Sequence, residues 1–151
     1  GHPVAGKEVI ALLKGEVTQE MIKALNTIKG KMIQACLTNN IKAMDKEFEG
    51  NVSASDKHNE IMELFDFVIE SSKENVRKPD PRFYLLACER ANIEPSEAIF
   101  LDDLGINLKP AKELGMTTIK VIDPGIALKE LELIRLEIQE LKLKSSNPLA
   151  N

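Results

Sequence analysis

Four short apolar runs punctuate this chain: Met32–Leu37 (MIQACL), Asp66–Ile69 (DFVI), Ala98–Leu101 (AIFL) and Thr117–Ile122 (TTIKVI). Each is too short for a buried helix, and stretches of helical periodicity separate them. That alternation predicts an α/β chain with a Rossmann-like, mainly parallel sheet flanked by helices.

The helical stretches carry their own boundary signals. Thr18 is an N-cap for a helix to about Lys29. Met21, Ile22, Leu25 and Ile28 fall on one face of it, and Gly30 stops it. Ser55 or Asp56 caps a helix through Leu64. Asp80-Pro81 starts the next, with Asp as cap and Pro at the first helical position. It carries Phe83, Leu85, Leu86 and Cys88 and ends near Asn92. Asn107 is expected to cap a helix that holds Pro110 and closes at Gly115. Asp123-Pro124 starts the last one, to about Lys144. Residues 7–15 (KEVIALLKG) predict a short helix ending at Gly15.

Composition removes several function classes. The length of 151 residues suits one domain with a real core. Formal net charge is −4 with Lys and Arg scattered, so no basic face for nucleic acid is visible. Trp is absent and aromatic content is 4%, which argues against a base-stacking surface. No apolar run approaches the length that spans a membrane. The opening Gly1-His2-Pro3-Val4 has neither an initiator Met nor a basic-plus-apolar leader pattern. Cys36 and Cys88 sit in apolar segments and read as two buried free thiols, which fits a reducing cytoplasm. His2 and His58 lie in polar stretches and read as surface residues.

The chemistry gathers where the strands end. Thr38 and Asn39 follow the first run. Glu70, Ser71 and Ser72 follow the second, with Lys78 shortly after. Asp102 and Asp103 close the third. In an open α/β sheet, ligands bind at the carboxyl ends of the strands, so residues far apart in sequence can converge there. Two adjacent carboxylates make a hard oxygen site suited to Mg²⁺. A lysine supplies compact positive charge, and Thr and Asn supply neutral donors. Together they describe a site for a phosphoryl group.

On these residues the chain resembles the haloacid dehalogenase superfamily. ACLTNN (35–40) is similar to its second motif, with Thr38 as the phosphate-binding hydroxyl. RKPDP (77–81) is similar to the third, with Lys78 as its lysine. IFLDDLGINLKPAKELGMTTIKV (99–121) is similar to the fourth, with Asp102 and Asp103 as the metal carboxylates. The likeness covers roughly residues 16–130. Within the superfamily it is nearest the phosphatase domain that precedes soluble epoxide hydrolase, and related bacterial hydrolases.

The resemblance implies a Mg²⁺-dependent phosphatase acting on a small phosphorylated molecule through an aspartyl-phosphate. Lys78 would balance charge, Thr38 and Asn39 would grip the phosphoryl oxygens, and Asp102 with Asp103 would hold the metal. The family's nucleophile is an Asp in a DxD pattern on a central first strand. No DxD occurs here: Asp102-Asp103 are adjacent, and Asp45, Asp56, Asp66, Asp80 and Asp123 lie outside such a context. The chain is therefore expected to begin after the nucleophile strand and most of the cap. Residues 1–16 would be a cap remnant, 17–125 the core, and 126–151 an amphipathic helix and tail. The sheet would lack its centre, and the chain alone would not turn over. Two alternatives stand beside this: a non-catalytic binding or assembly module on the same fold, and a haloacid dehalogenase-type hydrolase.

The last helix adds a separate signal. Ala127, Leu131, Ile134, Ile138 and Leu141 follow 4-3-4-3 spacing, and Leu133, Leu136 and Leu143 form a second apolar line. The seam is expected to dock on its own sheet, with the alternative that its distal part packs against another chain; an exposed sheet edge is the other route to homo-oligomers.

Overall fold

The computed structural model describes residues 9–12, 18–39 and 59–147. Five strands form one sheet: β1 (Val9–Leu12), β2 (Ile33–Thr38), β3 (Phe67–Glu70), β4 (Ala98–Asp102) and β5 (Thr117–Lys120). Their order is β3-β2-β1-β4-β5 and every pairing is parallel. Among the described residues the helices that accompany them include α1 (Gln19–Ile28), the short α2 (Ser71–Glu74), α3 (Pro81–Ala91), α4 (Gly105–Glu113) and α5 (Pro124–Ser146).

The four predicted runs are strands, and most helix boundaries follow the predicted caps. Thr18 Oγ1 accepts from the Met21 N–H at 3.3 Å, and Met21, Leu25 and Ile28 are buried. The chain leaves α1 through Gly30 at φ +79°, a backbone region glycine enters without steric cost. Asp80 caps α3 through the Arg82 N–H at 2.9 Å, and Asn92 ends it at φ +54°. Asp123 caps α5 through the Ile126 N–H at 2.9 Å. Ser55, Asp56 and His58 lie outside the described residues.

Two expectations need correction. Residues 9–12, read as part of a helix, form the central strand. β1 pairs with β2 over Val9↔Ile33 to Leu12↔Cys36 and with β4 over Val9↔Ala98 to Ala11↔Phe100. The sheet therefore has its centre, and no gap separates β2 from β4. The physical reason is non-local: strands on either side present a row of unpaired backbone groups, and pairing both rows outweighs a local helical preference. Asn107 is not a cap either. It sits buried within α4, whose N-cap is Leu104.

The sheet divides the core in two by the alternation of strand side chains. Ala98 and Phe100 face α3 and α4, with Phe83, Tyr84, Ala87 and Ala111 on that side. Ile99 and Leu101 face α1 and α5, with Leu25, Ile28, Ala127 and Leu131. Tyr84 and Phe100 meet edge to face, ring centres 5.1 Å apart, a preferred aromatic geometry.

Candidate functional site

Strand order reverses at β1: β2 and β3 lie on one side of it, β4 and β5 on the other. Open parallel sheets open a crevice at such a point, outside the carboxyl ends of the strands. β2 ends there at Thr38, and β4 ends at Asp102. The loop before α3 brings Lys78 between them.

Lys78 and Asp102 form a buried ion pair, Nζ to Oδ2 at 3.5 Å, with side chains 2% and 0% exposed. The ammonium also donates to the Leu37 carbonyl at 3.0 Å. Burial pushes the Lys78 ammonium below its ordinary value, and the Asp102 carboxylate opposes that. Burial pushes Asp102 above the usual carboxylate range. The Leu104 N–H, Lys78 and Asn107 hold it down, and Asp103 adds to the rise.

Asp102 is fixed from several directions. Its Oδ1 accepts from the Leu104 N–H at 2.8 Å and its Oδ2 from Asn107 Nδ2 at 2.9 Å. The Tyr84 hydroxyl donates to the Asn107 carbonyl at 2.7 Å. Leu104 is the N-cap residue of α4, so Asp102 also lies against the positive end of that helix. Asp103 beside it is exposed.

The Asn39 side chain engages the loop that carries the lysine. Its Nδ2 donates to the Lys78 carbonyl and its Oδ1 accepts from the Lys78 N–H, both at 2.9 Å. Thr38, the last residue of β2, is half-buried. All five residues singled out from sequence thus lie at the carboxyl ends of β2 and β4 or on the loop between. From sequence, Asn107 reads equally as a helix cap or a site residue, and Tyr84 reads as neither. Asn107 carried a signal, since it follows the acid pair within the same motif. The Tyr84 contact crosses from α3 and had none.

Among the described residues, no cluster of three or more His, Cys, Asp or Glu side chains is arranged to hold a metal alone. Two carboxylates at one strand end still fit Mg²⁺. That ion commonly takes one or two carboxylates and completes its shell with water and substrate phosphate. Adjacent carboxylates, one of them raised by burial, are also what a divalent cation stabilises.

A sequence profile of haloacid dehalogenase-like hydrolases matches residues 4–115. The chain belongs to that family. It is 43% identical to mouse acyl-CoA dehydrogenase family member 10 over 127 residues, covering 82% of this chain and 11% of that protein. It is 39% identical to pig bifunctional epoxide hydrolase 2 over 124 residues, covering 82% of this chain and 22% of that one. The chain thus spans about a fifth or less of the length of these curated relatives. Among solved structures it resembles a haloacid dehalogenase family enzyme of Bacteroides thetaiotaomicron, crystallised with magnesium and inorganic phosphate. The TM-score is 0.54 at 25% identity, covering 68% of this chain and 52% of that one. No helix among the described residues is long and apolar enough to cross a membrane.

Proposed function

We propose that this chain is the phosphate- and metal-binding part of a Mg²⁺-dependent phosphatase for a small phosphorylated metabolite, and that alone it does not turn over. The observation that carries the reading is the buried Lys78–Asp102 pair, set between Thr38 and the exposed Asp103 at the switch point of the sheet. Residues 17–125 are its core, with Val9–Leu12 completing the sheet, and 126–151 an added helix and tail.

Each residue takes a role its surroundings allow. Lys78 is held rigid and balances negative charge on a phosphoryl group. The Thr38 hydroxyl donates to a phosphoryl oxygen. Asp103 and Asp102 would hold Mg²⁺, which when bound withdraws charge from phosphoryl oxygens. Asn39 positions Lys78, and Asn107 positions Asp102.

Covalent transfer needs a carboxylate nucleophile, and the sequence has no DxD to supply one. The described aspartates outside the acid pair are committed elsewhere: Asp66 accepts from the Gln34 N–H, Asp80 pairs with Arg82, and Asp123 caps α5. A dehalogenase reading fits less well, because the adjacent acid pair suits a metal-bound phosphate.

The test has two arms. The purified chain with Mg²⁺ and p-nitrophenyl phosphate should release no phosphate; clear release overturns the claim of inactivity. Phosphate binding followed by NMR should strengthen with Mg²⁺ and lose that dependence in Asp103→Asn. Binding of phosphate indifferent to both Mg²⁺ and Asp103→Asn overturns the site.

A further inference from the structure

Helix α5 has 23 residues, about 34 Å at 1.5 Å per residue, yet buries only Ala127 and Leu131 fully. Leu128, Ile134 and Ile138 add partial contacts with the core beneath. At 100° per residue, a second set falls on the opposite side within an arc of about 100°. That set is Ile126, Lys129, Leu133, Leu136, Glu140 and Leu143, all exposed. The apolar members are large and well exposed: 67% for Ile126, 62% for Leu133, 49% for Leu136 and 66% for Leu143. The six positions follow the 3-4-3-4-3 spacing of an a/d seam, apolar at four of them and charged at Lys129 and Glu140.

The stripe reads the same from either end. Ile126 and Leu143 are equidistant from the midpoint between Ile134 and Arg135. So are Leu133 and Leu136, and so are Lys129 and Glu140. Laying a second copy of the helix antiparallel on the first, about a two-fold axis at that midpoint, sets apolar against apolar in four layers. It sets Lys129 of each chain against Glu140 of the other in the remaining two. A parallel arrangement would instead place Lys129 against Lys129 and Glu140 against Glu140.

We propose that α5 is a dimerisation helix whose outer stripe pairs antiparallel with the same stripe of a second copy of this chain. The contact is isologous, so each side-chain pair occurs twice and each substitution acts twice. The occupant is a second copy because the charge order is complementary to its own reverse. This surface lies on α5 and does not depend on the phosphatase reading.

Charge reversal tests both the contact and its direction. Wild-type chain should sediment at twice its 16.8 kDa mass at roughly 100 µM, in the range where modest interfaces associate. Lys129→Glu or Glu140→Lys alone should each weaken the dimer about tenfold, since attraction becomes repulsion at two symmetric places. The double variant Lys129→Glu/Glu140→Lys should recover wild-type dimerisation, because the pair is restored with its signs exchanged. The two positions lie three turns apart on one helix, so no contact within a chain mimics that rescue. Leu133→Asp should leave a folded monomer by circular dichroism. A monomeric wild type overturns the proposal. So does a dimer indifferent to single reversals, or a double variant no better than either single one.

Discussion

Asn39 and Lys78 stand 39 positions apart, and the side chain of one exchanges two hydrogen bonds with the backbone of the other. The arrangement imitates a rung of a sheet ladder and locks the loop carrying the lysine onto the end of β2. With its backbone fixed, the Lys78 side chain runs back into the sheet to the Leu37 carbonyl and Asp102.

Asn39→Ala removes both partners of the Lys78 peptide at once. These bonds are part-buried, so their loss should cost about 1 kcal/mol, the low end for an unsatisfied group. The urea midpoint should fall accordingly with the slope unchanged. An unaltered midpoint would show that the loop holds Lys78 without the clamp.

Lys78→Met should be more damaging, because it strands a carboxylate whose side chain is fully buried. Breaking a buried pair from one side costs about 3–5 kcal/mol. Asp102→Asn added to Lys78→Met should return much of that, since the stranded charge is gone. The pH dependence follows from direction alone. Burial already raises Asp102 above its ordinary 3.8, and Lys78 is among the groups opposing the rise. Without the lysine the folded state keeps that proton to higher pH than the unfolded chain. Stability of Lys78→Met should therefore fall as pH rises above about 4. A loss of equal size at pH 4 and pH 7, measured by urea unfolding, would contradict this.

Cys36 and Cys88 are both buried. Burial pushes each thiol from 9.0 up to about 11, with Lys78 opposing the rise at Cys36. Neither should react with Ellman's reagent at pH 8 until the chain is unfolded. Unfolded thiols shed protons near pH 9 while the folded ones hold theirs to about 11. Stability should thus drop between those values, by up to about 3 kcal/mol per thiol. The variant Cys36→Ala/Cys88→Ala should show a shallower alkaline decline. An equally steep decline would place its source elsewhere.

Much of this was legible in the sequence because the signals were local. Thr18, Asp80-Pro81 and Asp123-Pro124 mark helix starts by their own side-chain chemistry. The runs MIQACL and AIFL are too short and apolar for anything but buried strands, while TTIKVI forms the edge strand β5 with only Ile119 buried. Asn107 misled because asparagine is a good cap by type. The helix starts earlier, with Leu104 as its N-cap, so Asn107 lies inside the first turn and its amide turns to Asp102 instead. The convergence of Thr38, Lys78 and Asp102 followed from motif order and the rule of strand ends. The Leu37 carbonyl and the Tyr84–Asn107 contact did not, since nothing in the local sequence announces them.

Val9–Leu12 was the largest misreading, and it supplies the sharpest test of the fold. A short apolar run flanked by charges and glycine suits either a helix or a strand, and periodicity cannot choose. Its neighbours choose, because β2 and β4 each present a ladder that β1 alone completes among the described residues. Proline removes an N–H and is excluded from central strands, and a ladder partner left unsatisfied costs about 1–3 kcal/mol. Ala11 pairs on one side with Ala35 and on the other with Phe100. Ala11→Pro should therefore cut global stability by that amount and speed amide exchange in both flanking strands, not only near residue 11. If Ala11→Pro left the melting temperature and the exchange of Ala35–Leu37 and Ile99–Leu101 unchanged, this segment would not be the centre of the sheet.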